Sequence, residues 1–172
     1  GANLSGANLD GVDLRIINNN LTGVNLSGVD LSNKDLTGTI LTGANLSGAN
    51  LDGVDLSNKD LTGVNLSGVD LSNKDLTGTI LTDANLSGAN LYGVDLRSNN
   101  LTETILHHAS LSGANLDGVD LRNKDLTGVN LSGVNLSNKD LTGVNLSGVN
   151  LSNTNLNGTI LHHANLSGAN LD

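Results

Sequence analysis

The sequence predicts an all-β fold: a parallel β-helix, or solenoid, of stacked square coils with four five-residue units to a coil. Three observations predict it. Leucine stands at every fifth position from Leu21 to Leu171, thirty-one times without a gap, and Leu4, Leu9 and Leu14 open the chain on the same spacing. The residue two before the leucine is usually Ala or Val, as in Ala44-Asn45-Leu46 and Val64-Asn65-Leu66. All twenty-two glycines fall two residues after a leucine, or at the equivalent place, Gly1.

The period excludes a helix. Five residues advance about 500° on an α-helix, so successive leucines would step about 140° around the axis and leave no apolar stripe. Ala44 and Leu46, two apart, share one face of a short strand. The next such residue, Ala49, is an odd step from Leu46 and stays on the inner face only if the chain turns a corner between them. Glycine marks that corner, and Asn replaces it at Asn33, Asn58, Asn73, Asn123, Asn138 and Asn153. Gly and Asn most readily accept the positive φ needed at the second central position of a type II turn. Short three-residue strands joined by corners therefore close into a coil with leucine along the axis.

Internal duplication gives the coil length. Residues 39–56 recur at 79–96 with two exchanges, Gly43 for Asp83 and Asp52 for Tyr92. The shift of forty is two turns of twenty but not a whole number of turns of fifteen, which favours four faces over three. The chain reads as one repeat domain over residues 1–172 with a short irregular insertion at 15–20, making about 8.5 coils stacked at about 4.8 Å. Each coil would contact only its neighbours, so stability would grow by addition of units.

Composition supports this frame and excludes several functions. The 172 residues hold no Pro, Cys, Met, Trp or Phe, and Tyr92 is the single aromatic residue. A core of mixed large side chains is out of reach. So are disulfides, thiolate metal sites and thiol nucleophiles. No run approaches the roughly 18 apolar residues of a membrane span, and no charged-then-apolar leader opens the chain. Recurrent sequons such as Asn25-Leu26-Ser27 and Asn45-Leu46-Ser47 favour a bacterial cytoplasm over a secretory pathway that would glycosylate them. The absence of methionine suggests a longer parent chain.

The units Gly-Ala-Asn-Leu-Ser, Gly-Val-Asp-Leu-Ser and Gly-Val-Asn-Leu-Ser resemble the A(N/D)LXX signature of the pentapeptide-repeat proteins, and the resemblance covers the chain apart from the insertion. It implies a right-handed quadrilateral β-helix, with leucine the central inward residue and Ala or Val the second. It also implies a candidate partner, since some relatives inhibit DNA gyrase as acidic mimics of duplex DNA. Most members of the family have no assigned activity.

Two departures from the pattern stand out. Leu14 and Leu21 are seven apart, so two residues of Arg15-Ile16-Ile17-Asn18-Asn19-Asn20 must bulge outward, as a tolerated insertion or as a recognition bulge centred on Arg15, Ile16, Ile17 and Asn18. Lysine also takes the second inward place at Lys34, Lys59, Lys74, Lys124 and Lys139, each time after Asn and never after Gly. Five unpaired buried ammonium groups would each cost several kcal/mol. The expectation is an altered Asn-Lys corner, with the lysine stem against the rod and the charge in water.

Counting units modulo four arranges the surface in columns. One column reads Asp35, Asp55, Asp75 and Asp95, and with a net charge of −9 this is the strongest functional signal. Like charges stacked about 5 Å apart repel unless a cation or partner neutralises them, although exposed acid also keeps a β-rich rod soluble. A second column reads Thr22, Thr42, Thr62, Thr82 and Thr102 and ends at Arg122. Such ladders occur on ice-binding β-helices, a minor reading here. The pairs His107-His108 and His162-His163 fall at corners on different faces, too far apart for one metal site. Ile40, Ile80, Ile105 and Ile160 replace the outward Asn or Asp and could form a shallow sticky stripe.

No catalytic triad or phosphate loop is recognisable, and no cofactor or metal is predicted. A regular convex rod offers no pocket in which unlike groups converge. The expected function is a non-enzymatic structural or protein-binding rod with an unidentified protein partner, without direct nucleic-acid or membrane binding. The alternative is an acidic DNA mimic directed at a type II topoisomerase such as gyrase, although no C-terminal dimerisation helix is recognisable. Bare repeats at both ends, with Ala2 and Leu171 in register, point to lost caps or to end-to-end self-association.

Overall fold

A computed structural model of the chain describes residues 1–15 and 19–172. Ile16, Ile17 and Asn18, three of the four residues of the expected recognition bulge, lie outside the described residues. Leucine is followed by a two-residue turn closed by a hydrogen bond from the residue three later: Ala44 N–H reaches the Leu41 carbonyl at 2.8 Å, and Val64 N–H reaches that of Leu61 at 3.0 Å. Only the second turn residue has positive φ, 66° at Gly43 and 55° at Asn33, the type II pattern.

The corner tolerates more residue types than the sequence suggests. Asp83, Glu103, His108 and His163 also hold it, with φ of 58°, 52°, 58° and 59°. Residues of these types seldom adopt that conformation unless their surroundings over-determine it. For Asp83 and His108 the surroundings are visible: their amides donate to the carbonyls of Thr102 and Thr127, at 3.1 and 3.0 Å. Ser98 is the exception among the described corners, its turn closing through Asn99 N–H to the Leu96 carbonyl at 2.9 Å without positive φ.

Successive rungs pair in parallel between residues twenty apart, as at Asn25 and Asn45, Asn45 and Asn65, and Asn65 and Asn85. Four five-residue units therefore separate stacked partners. At the start of the chain the partners are Asn3 and Asn25, so the two extra residues between Leu14 and Leu21 are absorbed without loss of register. The pairing consists of isolated bridges, not the expected three-residue strands. Two of every five residues are taken by the corner, and the rungs are joined by the backbone groups around each leucine together with the corner amide, as where Gly48 N–H donates to the Ser67 carbonyl at 2.9 Å. Leu46 N–H donates up to the Asn65 carbonyl at 2.8 Å, and Asn45 N–H donates down to Val24 at 2.9 Å.

Leucine fills the axis. From Leu21 to Leu151 every leucine is buried, and Leu26, Leu46, Leu66, Leu86 and Leu106 are at most 1% exposed. The second inward place takes Ala and Val, and also buried threonine, which the packing accepts because each hydroxyl is satisfied. Thr39 Oγ1 donates to the Leu36 carbonyl of its own turn at 2.7 Å; Thr79 and Thr104 reach the leucine carbonyl twenty-three residues back, Leu56 and Leu81, both at 2.8 Å.

The lysines take the same place without altering the corner. Asn33 keeps φ 55° and Lys34 N–H closes the turn to the Leu31 carbonyl at 3.0 Å, so the expected altered corner does not form. Each lysine is half-buried, and its ammonium donates to backbone carbonyls of the rung beneath. Lys34 Nζ reaches Leu9 at 2.6 Å and Val12 at 3.2 Å, Lys74 reaches Val54 at 3.2 Å, Lys139 reaches Val119 at 3.0 Å, and Lys59 bonds to Leu36. The partners are carbonyls twenty to twenty-five residues earlier in the chain.

Candidate interaction surface

The outward residue before each leucine builds its own corner. Its side-chain oxygen accepts the N–H two residues on: Asn45 Oδ1 from Ser47 at 3.1 Å, Asp35 Oδ1 from Thr37 at 2.8 Å, Asp55 Oδ1 from Ser57 at 2.9 Å. This Asx-type bond is the reason Asn and Asp occupy the position, and the exposed Ile40, Ile80, Ile105 and Ile160 have no oxygen with which to make it.

The expected column of aspartates forms and is longer than the sequence count. Asp75 is influenced by the charges of Asp55 and Asp95, and Asp35 by that of Asp13. Asp13 joins the column because pairing across the insertion steps by twenty-two residues, as Asn3 to Asn25 does; the seven-residue spacing of Leu14 and Leu21 was the available signal. The resulting order is Asp13, Asp35, Asp55, Asp75, Asp95.

All five carboxyls sit below the ordinary aspartate value. Asp13 falls to about 2, chiefly through hydrogen bonding from the Arg15 side chain and then its amide. For Asp35 and Asp75 the leading cause is hydrogen bonding from the Thr37 and Thr77 side chains, for Asp55 from that of Ser57, and for Asp95 from that of Arg97; the amide of the same residue follows in each case. Hydrogen bonds to the charged form thus outweigh the mutual repulsion, and the column is anionic at neutral pH.

Cations close the column at its two ends. Arg15 bridges Asp13 at 2.9 Å and Asp35 at 2.8 Å, and Arg97 pairs with Asp95 at 2.7 Å. Arg15, expected as part of a recognition bulge, is here bound to the column. Asp55 and Asp75 between these ends form no ion pair among the described residues.

The column is also where the rungs are least joined. None of the steps Asp35 to Asp55, Asp55 to Asp75 and Asp75 to Asp95 carries a bridge, whereas Asp95 to Asn115 does. The rule is directional. Aspartate on the earlier rung is bridged at Asp30, Asp60, Asp70, Asp95, Asp125 and Asp140, always beneath Asn or Ile; among the described residues no bridge has aspartate on the later rung. An Asn on the later rung can donate Nδ2 to the oxygen beneath, as Asn90 does to Asp70 and Asn145 to Asp125, both at 3.1 Å. An ionised aspartate there has only acceptors and sets oxygen against oxygen.

The other candidates are dispersed. Thr62 and Thr102 turn their hydroxyls onto Asp60 and Asn100 of their own units, at 2.6 and 2.5 Å. His107 Nε2 lies 3.1 Å from Asp125 Oδ2, and His108 and His163 hold corners at positive φ. Among the described residues no group of three or more His, Cys, Asp or Glu side chains is arranged to hold a metal ion, and no helix is long and apolar enough to cross a membrane.

Comparison with known proteins accords with this geometry. A family model described as pentapeptide repeats matches in eight copies, over residues 1–15, 20–58, 60–97, 100–123, 125–162 and 140–172. Comparison with curated protein sequences finds no match. Among solved structures the chain is similar to HetL from the cyanobacterium Nostoc sp. strain PCC 7120, described as a pentapeptide repeat protein involved in heterocyst differentiation regulation. The two are 32% identical with a TM-score of 0.71, covering 87% of this chain and 77% of that one. Rfr23, a pentapeptide repeat protein from the cyanobacterium Cyanothece 51142, is 28% identical over 95% of this chain and 98% of its own, with a TM-score of 0.26. Trypsin-treated QnrB1, a plasmid-mediated fluoroquinolone resistance protein, is 22% identical over 91% of this chain and 86% of its own, with a TM-score of 0.47.

Proposed function

This chain belongs to the pentapeptide repeat family, and from that premise we propose that it is a non-enzymatic rod that binds a protein partner through its aspartate column. In this reading residues 1–172 form one right-handed, four-sided β-helix of about 8.5 coils, set by a twenty-residue rung. The face bearing Asp13, Asp35, Asp55, Asp75 and Asp95 meets a basic surface on the partner. The observation that carries the reading is the pair Asp55 and Asp75, ionised, adjacent and, among the described residues, without an ion-pair partner between two arginine-closed ends. A fixed line of negative charge on a rigid rod steers association and sets register with a complementary cationic row.

An oligo-arginine peptide tests the charge complementarity directly. The expected result is salt-dependent binding that Asp55→Asn/Asp75→Asn weakens severalfold. Binding that ignores the double substitution removes the column from the function.

The aspartate column also supports a second reading, an acidic mimic of duplex DNA acting on gyrase. A supercoiling assay separates the two: inhibition that Asp55→Asn/Asp75→Asn relieves favours the mimic, and unchanged supercoiling at micromolar protein eliminates it.

A further inference from the structure

Between residues 98–106 and the rung above them at 117–125 the ladder is open on two adjacent columns and at the corners beside them. The register found elsewhere would join the amides of Leu101, Glu103 and Leu106 to the carbonyls of Asp120, Arg122 and Asp125. It would also join the amides of Asp120 and Asp125 to Asn99 and Thr104. None of these bonds forms. The column containing Ile105 is bridged continuously from Asn3 to Ile105 and again from Asp125 to Asn165, with its one break at this step. The space between the rungs is a cleft of about 760 Å³.

Local sequence explains why the rungs part here. Asp120 and Asp125 put aspartate on the later rung of both columns, the arrangement that carries no bridge among the described residues. At the intervening corner Asn123 stacks over Glu103, so both members carry side chains. Asn73 and His108 sit beneath glycines, Gly93 and Gly128, whereas Asp83 sits beneath Glu103 and its amide still reaches the Thr102 carbonyl at 3.1 Å.

A buried group on the cleft wall lacks a partner. Asn99 is 6% exposed; its Nδ2 donates to the carbonyls of Leu76 at 2.9 Å and Thr79 at 2.8 Å, while its Oδ1 accepts nothing. An unpaired buried acceptor in a polar recess is costly and is ordinarily met by a donor. Lys124, half-buried on the opposite wall, holds the Thr104 carbonyl at only 3.4 Å.

We propose that this cleft receives a peptide segment of the protein partner, which lies between the two rungs and bends with the corner at Glu103. The unpaired groups favour a peptide over a compact ligand. They alternate as amide and carbonyl on both sides of the corner at Glu103, from Asn99 to Leu106 on one wall and from Asp120 to Asp125 on the other, and a peptide backbone presents complementary groups along that length. The charges of Glu103, Asp120 and Asp125 exceed those of Arg122 and Lys124, which selects against an acidic segment. The inference rests on the reading of the chain as a protein-binding rod, but it uses a surface separate from the aspartate column.

A phage-displayed library of linear peptides, panned on the intact chain, tests it together with hydrogen exchange. Enriched peptides are expected to slow exchange at the amides of Leu101, Glu103, Leu106, Asp120 and Asp125, which exchange fast in the free protein. Asp120→Asn, whose carboxamide can donate to the Asn100 oxygen beneath, should close that column of the ladder and weaken binding. Asn99→Thr keeps a donor for the Leu76 carbonyl, as Thr79 and Thr104 do for theirs, and should weaken binding roughly tenfold by removing the acceptor. No enrichment, equal binding by the closed variant and by Asn99→Thr, protection elsewhere on the rod, or slow exchange at those amides in the free protein would each overturn the proposal. Peptide binding that survives Asp55→Asn/Asp75→Asn, while the oligo-arginine probe fails to bind, leaves this site standing and removes only the column reading. The reverse pattern removes only this site.

Discussion

The carboxamide oxygen of Asn33 fills the space that a β-carbon on Gly53 would need, and the same relationship recurs between Asn58 and Gly78, Asn123 and Gly143, and Asn138 and Gly158. A corner with a side chain is thus seated beneath a corner without one. The glycine is required twice over, by its φ and by its neighbour's side chain.

The pair can be separated by mutation. Gly68 has the same φ as Gly53, 68°, but nothing within 4 Å of an added β-carbon. Gly68→Ala should cost only the left-handed backbone penalty, about 1 kcal/mol. Gly53→Ala should cost about 2 kcal/mol, because Asn33 must also move. Adding Asn33→Gly to Gly53→Ala should return the loss, measured by urea denaturation, to that of Gly68→Ala; failure to do so would mean the two residues are not coupled.

Core leucines should matter according to their place along the rod. Leu66 is completely buried, whereas Leu171 is 61% exposed. Leu66→Ala is expected to cost about 3 kcal/mol, and Leu171→Ala under about 1 kcal/mol, as judged from chemical denaturation of each variant.

Charge removal in the aspartate column should tighten the rungs. In Asp55→Asn/Asp75→Asn each new carboxamide can donate to the oxygen beneath, so the amides of Leu36 and Leu56 gain the carbonyl acceptors they now lack. Their hydrogen exchange should slow by roughly tenfold, with stability rising by about 1 kcal/mol. Unchanged exchange at these two amides would show that carboxylates are not what keeps the rungs apart.

Acid should weaken the fold in a defined window. Asp13 and Asp120 titrate near 2 in the folded chain against an ordinary value of 3.8, both led by hydrogen bonding from an arginine side chain. Because the folded values are the lower ones, their stabilising contribution is complete above about pH 4. It is lost as the pH falls through the folded values toward about 2. A melting temperature that holds steady or rises over that interval would contradict this linkage.

Burial of Lys124 opposes its charged form and lowers its pKa, with Glu103 and Asp120 acting in the other direction. Valine occupies the same inward place at Val64 and Val144 without exposure. Lys124→Val is therefore expected to stabilise the chain by about 1 kcal/mol, raising the melting temperature by about 3 °C for a chain of this size.

Most of the architecture was legible in the sequence because it depends on residue types that repeat. The five-residue leucine spacing, the corner after it, and the twenty-residue stride read from residues 39–56 and 79–96 correspond to observed turns and bridges. Less legible were features set by residues from different rungs. The lysine expectation foresaw a half-buried stem but not the carbonyls that receive Lys34 and Lys139, which belong to residues more than nineteen positions away. The aspartate column was countable, yet Asp13 was missed because its two-residue offset breaks the simple count. The cleft beside Asn99 left no local mark at all, since neither Asp120 nor Glu103 is unusual until the opposing rung is known.

The twenty-residue stride makes this surface portable through evolution in whole-rung quanta. Gain or loss of twenty residues would lengthen or shorten the molecule while leaving every longitudinal row intact. Gain or loss of five would conserve the leucine cadence and still scramble all rows beyond the event, because each later side chain would be handed to the adjoining row. Recombination in such a gene is thus screened by arithmetic before any partner is encountered, and the two-residue step that keeps Asn3 in line with Asn25 is an insertion that passes that screen.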